Sequence, residues 1–185
     1  MILAILMVAA AAIYRVLPHP LNVAPVAAMA LVGGMYFGRR YALWVPLVAL
    51  VVTDLALNAR MGYSIFYWPR VIDYAVFVGI GCLGMWTRPR SFGAKVGAAL
   101  ATPFLFFLIS NFGVWLFGLN LANEHYPNTF AGLVDCYAAG LPFLRGTVIG
   151  DWAFMAVFAA VAWLVGHSPM ILTSTRLRRL PSNSP

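Results

Sequence analysis

The residues able to do chemistry in this chain are few. There are five carboxylates, Asp54, Asp73, Glu124, Asp135 and Asp151. Asp54, Asp73 and Asp151 interrupt apolar runs. A carboxylate at membrane depth costs at least about 2.5 kcal/mol unless it is paired or wet. With Asn111, these groups fall in the outer half of the expected spans, which points to a polar cavity open to the outside. Arg70 and Asp73 are close enough along one helix to pair. Arg145 and Asp151 point to different faces, so Arg145 is expected to meet Asp54 or Asp73. Tyr74, Trp115 and Tyr137 complete a candidate substrate-binding set of Asp54, Arg70, Asp73, Tyr74, Asn111, Trp115, Tyr137, Arg145 and Asp151. Arg60 and Glu124 read as ordinary interface residues.

The outer loops are aromatic, with Tyr63, Phe66, Tyr67 and Trp68 in one and Tyr126, Tyr137 and Phe143 near the other. Such residues form a belt at the membrane interface, or walls for a ring-bearing ligand. Cys136 and His125 share the last outer region, and His19 lies in the first. A thiolate and imidazoles suit a soft or borderline metal, although their spacing matches no zinc pattern. Cys82 reads as a small buried hydrophobe. The chain carries no Walker, Rossmann, HExxH or GxSxG motif. The expected mechanism is therefore binding and reorientation rather than catalysis, with no cofactor required.

The elements that place these groups follow from composition. Of 185 residues, 63% are hydrophobic and 9% charged, against about a quarter charged in an ordinary soluble domain. Each apolar run must satisfy its backbone hydrogen bonds internally in lipid, so each is read as a helix. The fold class is all-α, a polytopic integral membrane protein of about six transmembrane helices. The spans are 1–17, 24–37, 41–57, 69–86, 98–117 and 144–165, with Pro25 acceptable at a helix start. Residues 129–141 are expected to form a separate interfacial or re-entrant helix after a loop, capped by Asn128 or Thr129. Residues 1–12 lack the leading positive charge of a signal peptide and are read as part of the first span. Residues 1–168 form the membrane domain. Residues 169–185 form a basic tail, expected to be disordered.

Net charge is +7, but no basic run interleaved with aromatics is present, and nucleic acid is not an expected partner. The arginines serve as topology signals instead. Arg39 and Arg40, then Arg88, Arg90 and Lys95, then Arg176, Arg178 and Arg179 fall on one side of a six-span layout. That side is expected to be the cytoplasm, with both termini there and the bacterial inner membrane as the location. Ala30, Gly34 and Gly38 make a small-residue row suited to close helix packing or to docking another membrane protein.

Several motifs also carry a resemblance. The run from Leu17 to Gly34 (LPHPLNVAPVAAMALVGG), Asn111 to Trp115, Tyr126 to Gly132, Cys136-Tyr137 and Gly150-Asp151 resemble a family of uncharacterised bacterial transport proteins (DUF6580-like). Its size and layout are similar to the S components of energy-coupling-factor transporters. That resemblance implies a membrane protein that captures a vitamin, cofactor precursor or metal-type nutrient near the outer face. An energy-coupling module would be its partner. Some S-component-like proteins bind cobalamin through a cysteine thiolate, and Cys136 is on the side such a role requires. The alternatives are a membrane-embedded metal-dependent enzyme using Cys136 and His125, or a structural subunit of a membrane complex.

Overall fold

A computed structural model of the chain describes residues 9–10, 12–15, 17, 20, 22–37, 39–61, 68–120 and 122–166. Most of the first expected span, His19, Tyr63, Phe66, Tyr67, Gly38 and the tail 169–185 lie outside the described residues. Five helices have described bounds: α1 Val26–Tyr36, α2 Arg39–Met61, α3 Trp68–Thr87, α4 Phe92–Phe117 and α5 Phe130–Gly166. Residues 12–15 are helical as well, and no strand occurs among the described residues. The α3, α4 and α5 helices are long and apolar enough to cross a membrane.

The centre of the bundle is α1, which packs against all four other helices. Every residue from Val26 to Met35 is buried, as expected of a helix that is apolar all round. Its 11 residues rise only about 16 Å at 1.5 Å each, roughly half the hydrocarbon thickness of a bilayer. The small-residue row is what admits α1 so close to α3. A Cβ on Gly84 would run into the Leu31 carbonyl oxygen, and one on Gly34 into the Gly81 carbonyl oxygen. The row therefore serves internal packing. Ala30 and Gly34 are both buried inside the bundle.

The boundaries of α2 to α5 move outward from those the sequence suggests, while α1 is shorter at both ends. The α4 helix begins six residues before Ala98, because Ser91 caps it through Oγ, accepting from Ala94 N at 3.4 Å. A Lys near a helix end can extend along the apolar surface to water, so Lys95 does not end the helix. The larger correction concerns residues 129–141. They are no separate interfacial helix, because Phe130 to Gly166 is one helix of 37 residues. Pro142 sits inside it and removes one backbone donor, which a long helix with good formers on both sides tolerates. Thr129 is the cap, with Oγ1 accepting from Gly132 N at 3.1 Å. At about 1.5 Å per residue this helix is near 55 Å long, well beyond the roughly 30 Å hydrocarbon thickness of a bilayer.

The two described basic turns share one end of the bundle. Arg88 Nη1 donates to the Phe37 carbonyl oxygen at 3.3 Å, joining the α1–α2 junction to the α3–α4 turn. Tyr137 meets Leu108, and Trp152 meets Phe104, so α5 runs antiparallel to α4 and its last turns approach that same end. Exposed Trp44, Trp86 and Trp163 lie there too, as an interface belt requires.

Gly84→Val is expected to destabilise the bundle by roughly 1–3 kcal/mol or more, read as a lowered unfolding midpoint in mild detergent. Gly79→Val, where a Cβ would meet nothing, should leave the midpoint nearly unchanged.

Candidate functional site

The site lies at the end of the bundle opposite the basic turns, above the N-terminus of α1. Asp54 on α2 is its hub. Its Oδ1 accepts from Arg15 Nη2 at 2.5 Å, and its Oδ2 accepts from Tyr74 Oη at 2.6 Å. Arg70 Nε stands 3.6 Å from the same Oδ2. Arg70 Nη2 also donates to Asn58 Oδ1 at 3.3 Å. Asp54 thus joins the first segment to α2 and α3. Its desolvation is offset by two cations and a phenol, the condition under which a buried carboxylate is tolerated. Asp73, one residue before Tyr74, turns to α4 instead, where Ser110 Oγ donates to its Oδ1 at 2.5 Å.

These groups surround a cavity of about 350 Å³. Asp151 enters it from α5 and is 3% exposed, yet its Oδ2 has no hydrogen-bond partner. Val26 and Ala27 also line it, so the positive end of the α1 dipole faces the cavity. Phe77 and Phe106 stack at 5.1 Å and supply an aromatic wall. A second cavity of about 290 Å³ adjoins the first and shares Asn22, Phe106, Ser110 and Thr147 with it. Its other walls include Asn111, Tyr126, Cys136 and Phe143. Burial, with smaller contributions from Cys136 and Asp135, pushes the Tyr126 phenol up, so this loop tyrosine stays neutral and can donate a hydrogen bond.

Of the nine substrate-binding candidates, Asp54, Arg70, Asp73, Tyr74 and Asp151 converge on the larger cavity, and Asn111 lines the smaller. Trp115 and Tyr137 line neither. They are clamps: Trp115 Nε1 donates to the Pro127 carbonyl oxygen at 3.0 Å, and Tyr137 Oη to that of Leu108 at 2.6 Å. Arg145 is exposed and lines neither cavity. Its expected pairing with Asp54 or Asp73 is overturned, because Arg15 and Arg70 are the ion-pair partners of Asp54. The expected Arg70–Asp73 pair gives way for the same reason: Arg70 reaches across to α2.

Sequence reasoning missed Arg15, Ser110 and the Phe77–Phe106 pair. The signal for Arg15 was present, since it is a lone cation closing an apolar run just before Pro18. Its partner, 39 residues away, was not legible. The outer aromatics divide. Tyr126 and Phe143 do line a cavity, while Trp68 is exposed and packs on Phe117 at 6.0 Å.

The metal-ligand candidates have other work. Cys136 is buried and donates from Sγ to the Asn111 carbonyl oxygen at 3.4 Å. His125 Nδ1 lies 3.0 Å from the Gly118 carbonyl oxygen and lines neither cavity. Among the described residues no three His, Cys, Asp or Glu side chains are grouped to hold an ion.

Arg15→Ala is expected to lower stability by about 3 kcal/mol, because it leaves Asp54 under-compensated in a largely buried site. Arg15→Met with Asp54→Leu should recover only part of that loss, because Arg70 and Tyr74 then lose their Asp54 partner. Arg145→Ala, at an exposed position, should stay within about 0.5 kcal/mol of the parent. Unfolding midpoints in detergent measure all three.

No curated protein matches the chain, and no solved structure does. Residues 1–172 match the protein family described as "Family of unknown function (DUF6580)". With all but the last residues covered, the chain belongs to the DUF6580 family.

Proposed function

We propose that this chain is a multi-pass membrane protein that binds a small molecule in the cavity above α1, as the capture step of uptake. One observation carries the reading. Ionisable residues from the first segment, α2, α3 and α5 converge on a single cavity of about 350 Å³. Charged groups inside a membrane bundle mark substrate pathways by default, and this volume lies within the usual range for small-ligand sites. An outer-side cavity is supported by the basic turns at the opposite end, under the positive-inside rule. In this reading the location is the bacterial inner membrane and both termini are cytoplasmic. The resemblance to S components adds reorientation within the membrane, driven by a coupling module, as the way the ligand is carried inward.

The other readings have less support. An enzyme built on Cys136 and His125 would need those groups to converge with a reacting centre, and they are occupied by backbone contacts. A structural subunit docking through the small-residue row would need that row free, and it is spent on α3.

Extraction of the detergent-purified chain, followed by mass spectrometry, is expected to release a small molecule in near-stoichiometric amount. Asp73→Asn and Tyr74→Phe, both close in shape to the parent, should reduce its retention at least about tenfold, the effect of leaving a buried ligand contact unmade. Retention unaffected by both changes would place the ligand elsewhere and remove the basis for this reading.

A further inference from the structure

The walls of the larger cavity do not balance. Two guanidinium groups, Arg15 and Arg70, face three carboxyl groups, Asp54, Asp73 and Asp151. Asp54 is answered by both arginines, and Asp73 is answered by a neutral hydroxyl. Asp151, 3% exposed, has an oxygen with no partner. Arg15 Nη1, on the same cavity wall, is a buried donor without an acceptor. Buried polar groups are almost always satisfied, and each exception needs an explanation. The stacked Phe77–Phe106 pair lines the same cavity, an apolar surface that also attracts a cation.

We infer that the occupant of this cavity is a small organic monocation: an ammonium seated at Asp151 and Asp73, an apolar or aromatic middle on Phe77 and Phe106, and a hydrogen-bond acceptor for Arg15 Nη1. This rests on the small-molecule reading above and names the class of the ligand. One positive charge gives Asp151 and Asp73 the counter-charge that the two arginines, both on Asp54, do not supply. An ammonium supplies several donors where the carboxylates need them. An anion would add a second uncompensated charge, and a zwitterion would leave the present excess in place.

Three probes on one skeleton separate these cases: tyramine as the cation, tyrosine as the zwitterion and 4-hydroxyphenylacetate as the anion. Each is titrated calorimetrically into the full chain in maltoside detergent free of aminolipid, so that a solute is distinguished from a phospholipid headgroup. Tyramine is expected to bind. Tyrosine should bind at least about tenfold more weakly, and the anion not at all. In Asp151→Asn, tyramine affinity should fall at least about tenfold, while the ligand-free unfolding midpoint rises because an unpaired buried carboxylate has gone. A structural role for Asp151 would lower that midpoint instead and contradict the assignment. Equal or tighter binding of tyrosine or of the anion overturns it, as does failure of tyramine to bind. A neutral or anionic copurified ligand held through Asp73 and Tyr74 would overturn the cation while leaving small-molecule binding in place. Neither a copurified ligand nor a bound probe would end both.

Discussion

The arrangement depends on one requirement: the charges that enter this apolar bundle must be answered from inside it. Asp54 shows how. Its two oxygens take Arg15 from the first segment and Arg70 and Tyr74 from α3, so one carboxylate on α2 ties together two distant stretches of chain. Leaving any one out would strand a charge where the surroundings cannot screen it. The contact therefore fixes where the first segment ends, how α2 faces α3, and which side of α3 turns inward. Because α3 presents Tyr74 to Asp54, the preceding Asp73 points toward α4 and finds Ser110.

The space for these groups comes from the shortness of α1. A fully buried helix that begins only at Val26 leaves room beyond its N-terminus for the cavity. Irregular backbone at membrane depth is tolerated where it lines a cavity, and Asn22 and Ala24, just before α1, are part of the lining. Asn22 takes a left-handed backbone, with φ of 58°, a conformation that asparagine adopts more readily than most residues. Below the cavity, contact of α1 with α3 through Gly34 and Gly84 holds the floor in place. Packing and site are thus two consequences of the same short helix.

Much of this was legible in the sequence, and the division has physical causes. Apolar runs announce helices in lipid because nothing else satisfies the backbone there. Rare carboxylates in such runs announce a polar site because their cost demands a reason. Asp54, Asp73 and Asp151 were found in this way, and the Arg88–Phe37 contact agrees with the grouping of basic turns. Pairings were not legible. Whether Asp54 meets Arg15 or Arg145 depends on helix rotation and crossing, which spacing along the chain does not encode. The continuity of α5 through Pro142 was hidden for a different reason. Proline and a polar neighbourhood read as a break, while the flanking Ala138, Ala139, Leu141 and Leu144 favour helix strongly enough to carry it across.

The central claim is that the polar groups enclose a water-reachable pocket facing away from the basic end. Its most direct test is Ser110→Cys in a background without Cys82 and Cys136, because Ser110 borders both cavities. A small membrane-impermeant thiol reagent added to intact cells should modify this cysteine, while Ala162→Cys, in the buried core, stays unmodified. A Ser110→Cys side chain that reacts only after the cytoplasmic side is opened, or not at all, would contradict the account.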